Sequence, residues 1–308
     1  MAVGRFTFIV EEKNDGQTVK TFLRHTCGLS ARSMTVLKKS GMGITRIGEL
    51  LKAHYILSMG DQVDITLPNE HCDIEPVEGM PPILYEDDRL LAVDKPASMP
   101  VHPVKDHQLD TLANRIAAYQ QSRGESYVFR ALNRLDKDTS GIVLIAKDRI
   151  SYSLIKPTVK KVYFAVCEGI IDEAGTVDKP ITLAPDSKMR RCVSADGDMA
   201  VTHYTPVEYG KTHTLCRIVL ETGRTHQIRC HMSSIGHPLA GDDMYGGSLE
   251  LISRQALHCA EVAFIHPDSG KLITLKTELP TEFLQIIKEG FSIIENAKAP
   301  LCKGSCQR

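Results

Sequence analysis

Short apolar runs of strand length, separated by turn residues, recur along this sequence of 308 residues. None approaches the roughly 20 apolar residues that a membrane helix requires. The run Ile142 to Ala146 is typical, and further strand candidates lie at 162–167, 201–207, 214–221, 261–265 and 272–276. Few helical patterns lie between these runs, and most of the connections are short. The arrangement favours an α+β fold over a doubly wound sheet.

The first residues predict a small module with its own helices and strands. Helices are expected over 18–28 and 30–40, with Ser30 as N-cap of the second. Strands are expected over 44–46, 55–57 and 62–67. The next segment contains three prolines and indicates a linker. We therefore expect a small α/β domain over 1–68, a linker over 69–82, a main domain over 83–295 and a disordered tail over 296–308.

The main domain is expected to open with a hairpin of strands 83–85 and 90–93. Asp110 is the expected N-cap of a helix whose apolar face includes Leu112 and Ile116. Thr225 is the expected N-cap of a helix over 226–235. A last helix is expected over roughly 281–289.

Charge is distributed unevenly along the chain. Residues 1–68 hold nine Lys/Arg and six Asp/Glu, a balance of +3. The whole chain carries −1, so the remainder carries −4. A basic module beside a mildly acidic one gives a weak indication of RNA contact. The nine cysteines are odd in number and scattered, without a C-x-x-C pair, which indicates reduced thiols in a cytoplasmic protein.

Three segments carry polar residues that could perform chemistry. The first runs from Arg134 to Gly141, directly before a predicted buried strand, and could equally be a solvated loop capped by its Asp and Ser. The second, Thr222 to His231, places His226 and Arg229 on one polar helix face, which suits an anion or is simply amphipathic. The third, Asp94 to Pro103, contains three prolines and could be only a rigid connector.

Metal and cofactor chemistry find little support in the sequence. His226, His231 and His237 are five and six residues apart, whereas a helical zinc site needs i, i+4 spacing. No Gly-x-Ser-x-Gly elbow occurs, and no Walker or Gly-x-Gly-x-x-Gly loop follows a strand. We therefore expect no metal and no cofactor.

These segments occur in an order that resembles a known family. Lys95-Pro to His102-Pro103, Arg134-Leu-Asp136-x-x-Thr-Ser-Gly141, Gly223-Arg-Thr-His-Gln-Ile-Arg229, Gly236-His-Pro238 with Gly241-Asp242, and Arg254-Gln-Ala-Leu-His258 follow one another. This order is similar to that of the RNA pseudouridine synthases that modify large-subunit ribosomal RNA and some tRNAs. The resemblance covers roughly 83–278. Residues 14–68 resemble an S4-type RNA-binding domain, with Ile47-Gly48 where Asn-Gly is usual.

The resemblance implies a mixed, mainly antiparallel sheet in the catalytic domain and a cofactor-free isomerisation of uridine in structured RNA. Asp136 would be the catalytic carboxylate, and Arg229 would pair with it. Tyr163 would stack on the uracil and help to remove a proton, although a strand tyrosine can also be plain core. The remaining residues expected at the substrate are Arg134, Leu257, His226 and Arg224, and those expected at RNA phosphates are Arg24, Arg32, Lys38, Lys39 and Arg46.

Ribosomal RNA is the expected substrate rather than tRNA, and the protein is expected to act as a monomer without a membrane partner. Asn133 and Ser98 depart from the family's usual His and Gly. A non-catalytic RNA-binding protein is the main alternative, and the presence of both Asp136 and Arg229 argues against it. A metal-dependent hydrolase is a second alternative, which the histidine spacing disfavours.

Overall fold

A computed structural model describes residues 4–288 and the backbone of 292–293, and the chain divides into two compact units. The first unit comprises 4–160 and 261–277, and the second 161–260 with the described residues from 278 onward. Every strand pairing described within either unit is antiparallel, as a mainly antiparallel α+β fold requires. The predicted disordered tail at 296–308 lies outside the described residues.

The first unit opens with a four-stranded sheet in the order β1-β4-β2-β3. Ser30 caps α2 by accepting a bond from the Ser33 amide, as predicted. The expected strand at 55–57 is wrong, because the chain turns before it and only Ile56 forms a bridge. The elements here are β1 (Arg5–Ile9), α1 (Val19–Thr21) with a π-helical turn (Phe22–Thr26), α2 (Ala31–Lys39), β2 (Ile44–Arg46), β3 (Glu49–Leu50) and β4 (Gln62–Thr66).

The rest of the first unit is an antiparallel sheet with two helices. Strand β7 is buried along its whole length, as its apolar run predicted. The N-cap of α3 is Thr111 and not Asp110, since Thr111 and Asn114 form a reciprocal capping box while the Asp110 carboxylate contacts His107. The elements are β5 (Ile83–Glu86), β6 (Leu90–Lys95), α3 (Leu112–Ser122), β7 (Ser140–Ala146), α4 (Arg149–Ile155), the end of β14 (Leu257–Ile265) and β15 (Leu272–Lys276).

The core beneath residues 6–67 extends into the later part of the first unit. Phe22 and Leu37 are buried there together with Ile150 of α4, and Leu154 packs against the same cluster. The Arg89 guanidinium lies 3.8 Å from the centre of the Phe6 ring. Apolar burial at about 25 cal/mol per Å² makes such a shared core stabilising. Residues 4–67 are therefore anchored to the chain that follows them.

The second unit is built on a sheet in which β12 pairs with β9, β13 and β16, and β13 also pairs with β8. Helix α6 contributes Phe283 and Ile287 to a buried cluster with Val166 and Leu215. The elements are β8 (Lys160–Glu168), β9 (Gly175–Asp178), β10 (Ile181–Leu183), β11 (Arg191–Val193), β12 (Val201–Tyr209), β13 (His213–Leu220), α5 (Gln227–Ser234), the start of β14, α6 (Thr281–Lys288) and β16 (Ser292–Ile293).

Helix α5 begins differently from the prediction. The residue before it is His226 rather than Thr225, and His226 adopts a left-handed conformation with φ of 56°. No side chain at this position caps the helix. Instead the Gln227 side chain accepts a bond from the Arg224 amide at 2.9 Å. Among the described residues, no helix is both long and apolar enough to cross a bilayer.

Asn133 supports the chain directly before the Asp136 loop. Its amide nitrogen donates to the Ile142 carbonyl and its oxygen accepts from the Leu144 amide, both at 2.8 Å. The Leu132 amide donates to the Leu144 carbonyl at 2.7 Å. The side chain of Asn133 thus continues the backbone hydrogen bonds along buried β7. A buried amide with its hydrogen bonds satisfied fixes the start of the loop that carries Asp136.

We expect Asn133→Ala to lower the free energy of unfolding by about 2 kcal/mol or more, because it leaves one buried N–H and one buried C=O of β7 without partners. Urea unfolding of the full chain measures this. Asn69→Ala is the control, since Asn69 is exposed and such changes usually stay within about 0.5 kcal/mol. Equal free energies of unfolding for the Asn133 and Asn69 variants would contradict the assignment of these two hydrogen bonds to the Asn133 side chain.

Candidate active site

Asp136 lies in the loop between the Asn133 segment and β7, and it is half-buried. The Thr139 amide donates to the Asp136 carbonyl at 3.1 Å and closes a turn there. Leu135 is buried on one side of Asp136, whereas Arg134 is exposed. The buried leucine anchors the loop, and Asp136 as a residue is only partly covered.

Lys95 fixes the loop that carries Asp136 through hydrogen bonds of its side chain. The side chain is fully buried, and its ammonium donates to the carbonyls of Pro96 and Met99 at 2.8 Å and of Lys137 at 3.0 Å. The Met99 amide also donates to the Lys137 carbonyl, at 3.1 Å. A buried ammonium is tolerated only when its donors are satisfied. The Lys95 ammonium therefore links the proline-rich segment to Lys137, the residue that follows Asp136.

The proline-rich segment explains one departure from the family pattern. Ser98 has a φ of 59°, in the left-handed region that favours glycine. The glycine usual among relatives would adopt this conformation at lower cost, and Ser98 retains it here. The turn that brings Met99 to Lys95 therefore does not depend on glycine.

His102, at the end of the same segment, lies beside Arg134. Burial lowers the pKa of His102, and the Arg134 guanidinium lowers it further. The His102 ring meets the Phe129 ring edge to face, with centroids 4.9 Å apart. His102 is therefore neutral near pH 7, and the positive charge at this position comes from Arg134.

Arg229 is the central charge of the second unit. Its Nε and Nη2 donate to the two carboxylate oxygens of Asp242, each at 2.7 Å. Both side chains are buried, at 7% and 0% exposure. Arg229 is buried although it lies on the polar side of the helix, because Asp242 provides a buried partner. Bidentate pairing of this kind is what makes a buried guanidinium tolerable.

Tyr245 completes this charged cluster and was not predicted from the sequence. The Arg229 guanidinium lies 5.0 Å from its ring centre. Its hydroxyl accepts from the Arg191 amide at 2.8 Å and lies 3.1 Å from His226 Nδ1. Burial raises the pKa of Tyr245 to about 12. The neighbouring Gly241-Asp242 motif was the only sequence signal near it.

Gln227 shapes the loop that precedes helix α5. Its amide nitrogen donates to the Val201 carbonyl at 2.9 Å and the Thr202 hydroxyl at 3.1 Å. Its oxygen accepts from the Thr222 hydroxyl at 2.8 Å as well as from the Arg224 amide. The amide nitrogen of this buried side chain is bound to strand β12 and its oxygen to the loop, so Gln227 positions the neighbouring His226.

The other histidines of this region have structural contacts. Nδ1 of His231 lies 2.8 Å from the Thr202 hydroxyl and Nε2 lies 2.9 Å from the Lys179 carbonyl, while burial lowers its pKa. Nδ1 of His237 lies 2.8 Å from the Glu168 carbonyl. Within residues 4–288, no group of three or more His, Cys, Asp or Glu side chains could hold a metal ion.

Tyr163 and Leu257 are buried at 5% and 4% exposure, on β8 and β14. Tyr163 stands opposite Ile218 in the sheet. Lys161, two residues earlier, shares its strand face, because side chains alternate along a strand. Burial lowers the pKa of Lys161. A basic group beside Tyr163 was missed from the sequence.

The structure groups the predicted residues in each unit separately. Arg229 and His226 meet at Tyr245, whereas Arg224 is exposed and donates to the Met199 carbonyl at 3.0 Å. Arg134 lies with Asp136 in the first unit. Pairing of Asp136 with Arg229 joins residues of different units and stays a prediction.

The predicted phosphate-binding residues of the N-terminal module differ in exposure. Arg32, Lys38 and Lys39 are exposed, and Arg24 is half-buried. Arg46 donates to Asp61 at 2.8 Å and lies over the Tyr55 ring at 5.1 Å. Its charge is partly neutralised within the module.

Comparison with known proteins gives a consistent result. Residues 89–234, which include Asp136, Tyr163 and Arg229, match the family model described as RNA pseudouridylate synthase. An uncharacterised RNA pseudouridine synthase of Bacillus subtilis, YhcT, is 36% identical over 293 residues, covering 92% of this chain and 97% of that protein. The ribosomal large subunit pseudouridine synthase D of Pseudomonas aeruginosa is 37% identical over 224 residues, covering 67% and 70% of the two chains.

A solved structure supports the fold. The human RNA pseudouridylate synthase domain containing 1 matches with a TM-score of 0.54 and 23% identity, covering 67% of this chain and 86% of that one. This similarity concerns the fold alone. The sequence identity to YhcT extends over nearly the full length of both proteins. The expected family is thereby confirmed, and the chain belongs to the RNA pseudouridine synthases.

Proposed function

We propose that this RNA pseudouridine synthase uses Asp136 as its catalytic carboxylate and acts on uridines of large-subunit ribosomal RNA. The position of Asp136 carries the proposal. It is a half-buried carboxylate on a loop held by Lys95 within the segment matched by the family model. A rigid support with an accessible acid is what a catalytic side chain needs.

The reaction requires no external reactant. The bond from C1′ to N1 of the uracil breaks, the base turns, and C1′ joins C5. The proton that leaves C5 is balanced by one gained at N1, so no electron is gained or lost. A carboxylate placed at the sugar and base can promote both bond changes, and we assign this role to Asp136.

Tyr163 and Arg229 are the proposed partners of Asp136. The Tyr163 ring would stack on the flipped uracil, and its hydroxyl would help to remove the C5 proton. Arg229 would keep Asp136 ionised, since a nearby cation favours the charged form of a carboxylate. A guanidinium has five N–H donors, and two are used on Asp242, so one arginine can serve two carboxylates.

Substrate recognition is assigned to the catalytic domain and to the N-terminal module. Arg134, Leu257, His226 and Arg224 would surround the target nucleotide, which must leave its stack at a cost of a few kcal/mol. Residues 1–68 would act as an S4-like module, joined through 69–82 to a catalytic domain at 83–295. The exposed Arg32, Lys38 and Lys39 are its strongest candidates for phosphate contact, with Arg24 and Arg46 contributing less.

The relatives' names support ribosomal RNA as the substrate. The Pseudomonas relative is named for the large ribosomal subunit. All cysteines of the described part are free thiols, which fits a cytoplasmic location. We propose that the protein acts there as a monomer. Mapping pseudouridines in ribosomal RNA and tRNA from cells with and without the gene tests the choice of RNA.

We expect Asp136→Asn to reduce turnover by about 10⁴-fold or more, because the near-isosteric amide cannot act as nucleophile or base. The assay is tritium release from C5-labelled uridine in RNA taken from cells that lack the gene. Asp106→Asn is the control, as Asp106 is an exposed acid of a nearby loop. Turnover by the Asp136 variant at the rate of the control would refute the role of Asp136.

We expect activity to persist after exhaustive dialysis against EDTA, within about twofold, because the isomerisation needs neither redox chemistry nor an activated water. Tritium release is measured with RNA whose folding in monovalent salt has been checked by thermal melting. Loss of activity that one specific ion restores, while the RNA stays folded, would contradict the expectation.

A further inference from the structure

A cavity of about 490 Å³ lies within the first unit, between the start of helix α2 and helix α4. We name it the arginine groove. Arg32 and Ser33 line it from α2, Arg149 and Tyr152 line it from α4, and Arg130 and His102 complete the polar part of its wall. Helix α2 belongs to the N-terminal module, whereas His102 ends the proline-rich segment beside the Asp136 loop.

The groove carries net positive charge. Its lining includes three arginines and no carboxylate. Glu70 pairs with two of them, accepting from Arg130 at 2.5 Å and from Arg149 Nε at 2.9 Å. Because these two guanidinium groups share one carboxylate, the pair retains a charge of about +1, and Arg32 raises the total to about +2. His102 adds none, since its pKa is lowered.

Glu70 also gives the groove a fixed shape. The side chains of Arg130 and Arg149 are 14% and 21% exposed, and that of Glu70 is 13% exposed. Two long side chains held in this way lose less rotamer entropy when a ligand arrives. Arg32 is different, because it is exposed and forms no ion pair within the described part of the chain. It can follow a ligand that enters.

We propose that the arginine groove binds the phosphodiester backbone of a single-stranded part of the RNA substrate. Planar guanidinium groups match phosphate geometry. Tyr152 places an aromatic ring in the wall, with the Lys156 ammonium 5.8 Å from its centre, and unpaired bases stack on aromatic rings whatever their sequence. This inference rests on the proposed function, since it assigns a binding surface for the same RNA.

The position of the groove gives it a direction toward the catalytic loop. His102 lines the groove and lies close enough to Arg134 for that cation to lower its pKa. Arg134 precedes Asp136 by two residues. A strand bound along the groove therefore passes from the N-terminal module toward Asp136. An acidic protein segment is the other possible occupant, and the test below distinguishes it.

The test measures RNA affinity of the full-length protein across a salt series. The probe is a fluorescein-labelled single-stranded RNA of mixed sequence and about 12 nucleotides, titrated at about 50 to 200 mM KCl. Each phosphate contact contributes about 0.7 to the slope of log K against log salt. We expect Arg32→Ala and Arg149→Ala each to lower the slope by about 0.7, and Arg149→Lys to preserve it.

Two further variants separate an electrostatic role from a structural one. Glu70→Gln removes the shared negative charge, so it should steepen the slope and tighten binding even if it lowers stability. Arg123→Ala is the matched control, because Arg123 is a half-exposed arginine paired with a single carboxylate, Glu125, outside the groove. Its slope should equal that of the wild type. Thermal unfolding confirms that each variant is folded.

Unchanged slopes for folded Arg32→Ala and Arg149→Ala would overturn the proposal, as would weaker binding by Glu70→Gln. Either result would exclude the RNA backbone as the ligand of the groove. Tritium release by the wild type is measured in parallel. If the enzyme is active while the slopes are equal, the groove proposal fails and the proposed function stands. If no pseudouridine forms, the proposed function fails, and the slopes still decide the groove.

Discussion

The loop that carries Asp136 depends on one buried ammonium group. Lys95 ends strand β6 opposite Gly141, the second residue of β7, and its Nζ binds three backbone carbonyls from two segments. Removing the ammonium would leave the Pro96 and Met99 carbonyls without this donor, and an unsatisfied buried acceptor costs about 1–3 kcal/mol. The proline-rich segment and the loop that carries Asp136 therefore keep one relative position. Lys95 contributes through geometry, since its three bonds fix both segments.

The second unit applies the same principle to a guanidinium. Arg229 is buried against Asp242 and Tyr245, which hold its guanidinium in place. Gln227 then holds the loop that presents His226. In both units a buried polar side chain, Lys95 or Gln227, organises irregular backbone that apolar packing could not specify, because hydrogen bonds are directional and dispersion contacts are not.

Attachment of the N-terminal module has consequences for RNA binding. Ile150 lies in the core formed mainly by residues 6–67, and Glu70 joins Arg130 to Arg149 directly after that module. Deleting residues 1–68 would expose this core as well as remove cations. Point variants are therefore the sharper probe of this module. The shared core also sets Arg32 and Arg149 on the walls of one cavity, which a flexibly tethered module could not do.

Local patterns in the sequence determined the elements and the motifs. Strand β7 follows from its apolar run and α2 from its Ser30 cap, because both depend on neighbouring residues. The family followed from motif order, and the proposal for Asp136 rests on the same motifs. Tertiary structure alone decided what each polar side chain contacts: Arg229 is buried because Asp242, thirteen positions later, reaches it, and helix α5 starts at Gln227 because that side chain bonds to a distant strand. The packing of helices and strands brings such partners together, and the spacing of residues along the chain does not predict that packing.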